Sequence, residues 1–285
     1  MPILNRGKRG IEIRDQRLVL RDAITDPTLT GPVMFEDYIA PIGATLADSS
    51  RVSIAQSGTP SAAAAISGTA GAPTAGHGGW LSGSVDNVDD EIDEVALGDA
   101  GWLVPAALPA GGMIVAEFGL VAPAVTARIL FCGLSDVVTG GADDDGPLSI
   151  ATGITLVSGA TGDAAGFVMS SLATDADAWY TGAVKATSVG TAYNTTAGTG
   201  GGATLNPAAA DDYTKLRLEV DSAGDIWFYG NVSLTGQREI RPLFVQNQTA
   251  AITATAVLLP SMTTASTATT AVVWEHDYIF GAAAQ

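Results

Sequence analysis

Acidic side chains crowd the segment DDEIDEVALGD, residues 89–99. Read as a strand, it points Glu91 and Asp93 to one side and Glu94 to the other, because successive strand side chains alternate. Two carboxylates about 5 Å apart on one face are the equipment of retaining glycoside hydrolysis. The run then turns apolar at Val95 and Ala96, and the plainer reading is an acidic loop leading into a strand. The wider cluster Asp86, Asp89, Asp90, Glu91, Asp93 and Glu94, and a second one at Asp143, Asp144 and Asp145, offer the oxygens that calcium prefers. Neither has the spaced Asp-x-Asp-x-Asp-Gly pattern of a calcium loop, and solvated acidic loops are expected. No cofactor is therefore expected, with structural calcium the one ion left open.

Other chemistry is thinly supplied. Cys132 lies in an apolar run after Arg128-Ile129-Leu130-Phe131 and reads as a small buried hydrophobe. A single cysteine allows no intrachain disulfide, and two isolated histidines, His77 and His276, argue against a zinc site or a Ser-His triad. There is no G-x-S-x-G elbow, and GTGGG at 198–202 stands in a loop context rather than between strand and helix. Aromatics are few: 5 Trp, 6 Tyr and 7 Phe in 285 residues. Three of them are consecutive at Trp227-Phe228-Tyr229, and Trp179-Tyr180 is another pair. Trp179, Trp227 and Tyr229 are the candidate glycan or subunit surface. The competing reading is a buried brace, with Ile226 and Phe228 inward and Trp227 and Tyr229 at a rim or a neighbour.

The elements that must position these residues are strands. In LRLEVDSAGDIWFYGN, residues 216–231, Leu216, Leu218 and Val220 alternate with Arg217 and Glu219, and Asp221 to Gly224 supply a turn. The pattern is a hairpin. Further strands are expected at 112–119, 127–134, 150–157, 165–171, 177–188, 240–247, 250–259 and 270–280, separated by Gly, Asp and Pro clusters. Such spacing predicts an all-β sandwich or jelly roll over residues 80–285. Residues 56–79 are rich in Gly, Ala and Ser and read as a linker. Residues 1–55 read as an extended arm with short strands near Ile11, Ile13, Leu18 and Leu20, interrupted later by Pro27, Pro32 and Pro41.

Charge divides the chain. The total is 13 basic against 30 acidic residues, a net of −17. Arg6, Lys8, Arg9, Arg14, Arg17 and Arg21 stand in the first 21 positions, opposed there by Glu12 and Asp15. The remainder carries 7 basic and 28 acidic residues, a net of −21. Such a body repels nucleic acid, and the basic segment reads as an arm that docks onto acidic protein surface. No apolar run approaches the roughly 18–20 residues of a membrane span, and no signal-length apolar stretch follows the basic start. A soluble protein made in a cytoplasm is expected.

Two resemblances add to this reading. Residues 89–99 resemble the catalytic strand of family-16 glycoside hydrolases, in which a nucleophile Glu, an assisting Asp and an acid/base Glu alternate. Glu91 and Asp93 match the first two, whereas Val95 and Ala96 stand where the third belongs, so the resemblance implies no working hydrolase. The hairpin YTKLRLEVDSAGDIWFYGNVSLTG (213–236) and the last strand AVVWEHDYIFG (271–281) resemble framework segments of the concanavalin A-like lectin/glucanase family. That resemblance implies a jelly-roll β-sandwich. Preceded by a basic arm, the sandwich is similar to virion proteins of tailed bacteriophages, decoration (cement) proteins of the head above all. This implies a non-enzymatic role on the capsid exterior, bound to the major capsid protein as a homo-oligomer, with a trimer favoured at three-fold positions. The alternatives are a glycan-binding fibre or tail protein and a degenerate hydrolase.

Overall fold

The computed structural model describes residues 33–36, 52–57, 81–85, 92–98, 100–121, 128–136, 146–158, 162–190, 192–195, 202, 204–205, 212–233, 240–267 and 272–284. In chain order the strands are β1 (Val33–Glu36), β2 (Val52–Ser57), β3 (Leu81–Val85), β4 (Ile92–Leu97), β5 (Met113–Val121), β6 (Arg128–Ser135), β7 (Ser149–Thr152), β8 (Thr155–Val157) and β9 (Ala164–Ser170). They continue with β10 (Tyr180–Lys185), β11 (Ser188–Val189), β12 (Tyr193–Asn194), β13 (Tyr213–Asp221), β14 (Ile226–Ser233), β15 (Leu243–Gln248), β16 (Leu259–Ser266) and β17 (Val272–Ala284). Among the described residues they form two large antiparallel sheets and a separate two-stranded β7–β8 hairpin. The first runs β1-β17-β5-β13-β14-β15, with β3 also on β17; the second runs β11-β10-β9-β6-β16-β4-β2, with β12 on β10. The chain is an all-β jelly-roll sandwich. No helix of the described residues is long and apolar enough to cross a membrane.

Alternation explains the packing. On β13 and β14, Leu216, Leu218, Val220, Ile226 and Phe228 turn inward, while Arg217, Glu219, Trp227 and Tyr229 stay partly exposed on the other side. The turn between them is built by Asp221, whose Oδ1 accepts from the N–H groups of Ala223 (2.9 Å) and Asp225 (3.0 Å). Gly224 closes it at φ +84°, and a Cβ there would lie 2.1 Å from the carbonyl oxygen of Ile252, so no other residue fits.

From the facing sheet come Leu130, Cys132, Phe167, Met169 and Met262. Phe167 meets Phe228 edge-to-face at 5.5 Å and Trp179 at 6.4 Å, joining the sheets through aromatic contact. At one flank Gln246 of β15 donates to the hydroxyl of Thr181 of β10, and Lys185 donates to the carbonyl of Ala250. A second apolar layer forms where the β7–β8 hairpin lays Leu148, Ile150 and Leu156 over Phe131, Val168, Tyr180 and Val184, on the far side of the second sheet.

Several expectations are revised. The single strand expected at 150–157 is a hairpin, because Gly153 sits at φ +63° between β7 and β8. The alternating stretch 250–257 is a strap rather than a strand. Asp225 accepts from Ala250 N–H, Asp163 from Thr253 N–H, and Gly224 from Ala251 and Ile252, which leaves none of these N–H groups to a ladder. The strand follows instead at β16. At 177–188, β10 starts only at Tyr180 and ends where Ala186 (φ +47°) and Thr187 (φ +70°) turn the chain. The sheets also recruit backbone from the zone expected as an arm: Val33–Glu36 pairs with β17 and Val52–Ser57 with β4. The arm residues Arg6, Lys8, Arg9, Ile11, Ile13, Arg14, Arg17, Leu18, Leu20 and Arg21 lie outside the described residues, as do His77, Glu91 and Asp143 to Asp145.

Candidate functional site

The outward face of the first sheet collects polar and aromatic side chains from four adjoining strands. The register sets Arg217 of β13 between Glu117 of β5 and Tyr229 of β14, and Glu219 opposite Trp227. Because β5 places Glu117 in a run that is otherwise Met, Ile, Val, Ala, Phe, Gly and Leu, its carboxylate has to be neutralised by neighbours. It is. Tyr278 Oη donates to Glu117 Oε1 at 2.6 Å, Lys215 Nζ lies 3.2 Å from the same oxygen, and Arg217 Nη1 lies 3.6 Å from Oε2. The side chains of Glu117 and Lys215 are only 4% and 5% exposed.

Two local features allow this arrangement. A register shift in β17 between His276 and Tyr278 re-aims the strand, and Asp277 there accepts from the hydroxyl of Tyr213 at 2.8 Å. Gly119, opposite both Lys215 and Tyr278, leaves the space where the tyrosines meet; a Cβ there would lie 2.5 Å from Tyr213 Oη and from Tyr278 Cε1. Burial, and then the neighbouring Glu117, pushes the Tyr278 phenol well above its ordinary value, so it stays a proton donor to Glu117.

Toward β15 the face opens. Glu219 accepts from Arg217 Nε at 2.9 Å and Nη2 at 2.5 Å. Burial, and then Glu219 beside it, pushes the Tyr229 phenol upward. Tyr229 meets Phe244 at 5.8 Å with the rings inclined 68°. Phe244 is 37% exposed, so Trp227, Tyr229 and Phe244 form a partly exposed aromatic ridge beside the Arg217–Glu219 pair. Asn231 donates to the carbonyl of Arg241 at 3.0 Å, fixing the approach to β15.

Chemically, this face is held rather than poised. Glu117 accepts from Tyr278 and is ion-paired with Lys215 and Arg217, and Glu219 is clamped by Arg217. A nucleophile or general base needs free lone pairs directed at a substrate. Of the expected surface residues, Trp227 and Tyr229 are brought together on one partly exposed face. Trp179 is a correction: its exposure is 0%, because it shares the inward parity of Thr181 and Ala183 and packs edge-on to Phe167. Asp93 is also buried, on the core-facing parity of Val95 and Leu97, opposite Thr264. That direction takes it away from any cleft on the outer face. Cys132 is buried as expected, with its thiol pushed upward by burial.

The Glu117–Lys215–Tyr278 cluster escaped sequence reasoning. Its one signal was a lone acid interrupting an apolar run, together with basic residues at alternate positions of β13. Among the described residues no group of three or more His, Cys, Asp or Glu side chains is arranged to hold a metal ion.

No family model matches the chain, and no curated protein matches it. Among solved structures it is similar to a protein of unknown function from Shewanella oneidensis MR-1, at 11% identity and TM-score 0.47, covering 95% of each chain. It is also similar to lectin II from Ulex europaeus, at 8% identity and TM-score 0.49, covering 89% of this chain and 99% of the lectin. Arcelin-5, a lectin-like defense protein from Phaseolus vulgaris, aligns at 9% identity and TM-score 0.47 over 90% of this chain and 100% of its own.

Proposed function

We propose that the protein is a non-enzymatic structural component of a tailed-phage virion, a decoration protein that binds the outer surface of the capsid lattice as a homo-oligomer. The observation that carries the reading is the charge division: six of the 13 basic residues lie in the first 21 positions, ahead of a remainder of net −21. The basic segment docks on acidic shell surface, and its strand-forming stretches around Ile11–Ile13 and Leu18–Leu20 add to exposed sheet edges there. The acidic sandwich faces outward and keeps particles dispersed. Repetition over a lattice turns weak contacts into durable ones. The clamped state of Glu117 and Glu219 and the inward direction of Asp93 support a role without catalysis.

The test is deletion of residues 2–22 followed by measurement of occupancy on particles. Loss of binding is expected, and unchanged occupancy overturns the model. The mass of the native material is a second check: a particle-sized assembly is expected, and a stable 28.8 kDa monomer contradicts it.

A second reading is favoured by one observation, the partly exposed ridge of Trp227, Tyr229 and Phe244 beside polar Arg217 and Glu219. Rings presented this way can stack on sugars, which makes the chain a glycan-binding virion protein. Retention on immobilised glycans that falls on Trp227→Ala and survives Trp179→Phe identifies that activity; no retention dismisses it.

A further inference from the structure

The outermost strand of a sheet presents unpaired N–H and C=O groups, and without a charge, a proline or a bulge it is a template for a further strand. Among the described residues the two large sheets end in β1 and β3 on β17, in β15, in β11 and β12 on β10, and in β2. All of these ends but one are guarded. β1 has four residues, follows Pro32 and closes on Glu36. Gly83 stands in the middle of β3, which weakens a strand, and β11 and β12 have two residues each. β15 breaks register with β14 between Phe228 and Tyr229, and Gly202 lies against it: a Cβ there would stand 2.0 Å from the Val245 carbonyl oxygen.

β2 has none of these devices. Its residues, VSIAQS, include no charge, proline or glycine. Its register with β4 runs unbroken from Val52 opposite Leu97 to Ser57 opposite Ile92, and among the described residues β4 is its one partner. In the sequence, acids gather about both ends of this edge. Asp86, Asp89, Asp90 and Glu91 lead into Ile92; Asp48 precedes Val52 and Asp99 follows Leu97, with Arg51 the one base among them. A strand that fits here is apolar in the middle and basic toward its ends.

The chain carries such a segment. Residues 16–21, QRLVLR, number the same as β2, lack proline and glycine, and set Arg17 and Arg21 about Leu18-Val19-Leu20. The connection suffices. Eleven residues separate Arg21 from Val33 at the start of β1, and fully extended they span roughly 36 Å. β1 comes within 8 Å of β4 between Cα atoms, and β2 lies one strand further, about 5 Å on. A tethered segment meets an edge at such range at high effective concentration.

We propose that in the free protein the open edge of β2 takes up residues 16–21 of the same chain as an added strand. The contact uses the basic arm of the reading above but needs no shell, and a shell would have to compete for the arm.

The experiment is hydrogen exchange of the free full chain, read by mass spectrometry and compared with the chain lacking residues 2–22 and with Arg17→Glu/Arg21→Glu. Peptides covering 52–57 are expected to exchange several-fold faster in both variants, while peptides of β6 and β16 keep their rates, which separates a lost edge contact from general loosening. In the parent, peptides covering 16–21 are expected to exchange more slowly than an unstructured segment, and faster as salt screens the charges. Should the deletion fail to fold, the charge variant is read alone. Unchanged exchange at 52–57 in the folded variants, or free-chain rates at 16–21 in the parent, overturns the contact. Protection that appears only as protein concentration rises assigns the strand to a second copy and likewise overturns it. Capsid docking is read as occupancy on particles and this contact in their absence, so either can fail while the other stands.

Discussion

At the residue scale, the same side-chain type does opposite work depending on which way a strand points it. Trp179 and Trp227 both looked like surface rings, yet one is sealed against Phe167 and the other lies at the ridge beside Tyr229. Trp179→Ala is expected to cost about 3–5 kcal/mol in chemical denaturation, the usual range for emptying a large core site. Trp227→Ala is expected to cost about 1 kcal/mol, in line with ordinary partly exposed substitutions. Equal losses contradict the assignment of Trp179 to the core. Glu117 gives a sharper case. Replacing it with Gln leaves Lys215 buried without its counter-charge, with an expected loss of about 3 kcal/mol. Adding Lys215→Met to that variant should recover part of the loss, since an apolar pair needs no neutralisation. A double variant less stable than the single one would show that the ion pair is not what matters.

At the element scale, the sheet face depends on places where a strand departs from regularity. Gly119 is the pivot, since Tyr213 and Tyr278 occupy the volume a side chain would fill. Gly119→Ala is expected to destabilise by about 1–3 kcal/mol, as overpacked sites do, although alanine suits a strand better than glycine. A crystal or solution comparison should also find the Tyr278–Glu117 hydrogen bond displaced. Stabilisation by this substitution, measured by urea midpoint, contradicts the packing described. The strap at 250–257 teaches the same lesson. Its alternating apolar residues satisfy a strand pattern, but carboxylates at Asp163 and Asp225 claim its N–H groups first.

At the scale of the whole molecule, the closed interior sets the response to acid. His276 is wholly buried, and desolvation lowers its pKa from the ordinary 6.5 to about 3. The folded state therefore keeps it neutral while the unfolded chain takes up a proton below about pH 6.5. The resulting stability is complete above pH 6.5 and is lost as pH falls toward 3, with a slope of order 1 kcal/mol per pH unit. His276→Leu is expected to flatten the dependence between pH 6.5 and 4 relative to the parent, read from urea midpoints at each pH. An unchanged slope would place the acid sensitivity elsewhere.

The amino-acid order alone determined the all-β class, the hairpin at 213–233, the inward set Ile226 and Phe228, and the burial of Cys132, because period-2 alternation and turn chemistry act over a few neighbouring residues. It also determined the uneven charge, which needs no fold to be counted. Tertiary structure decided what depends on distant partners. It turned Trp179 and Asp93 inward and gathered Glu117, Lys215 and Tyr278 from three strands. It buried Arg128 against the sulfur of Met169, and it made a strap of residues that read as a strand. Each outcome hangs on register between segments far apart in the chain, and a shift of one residue would reverse every direction involved.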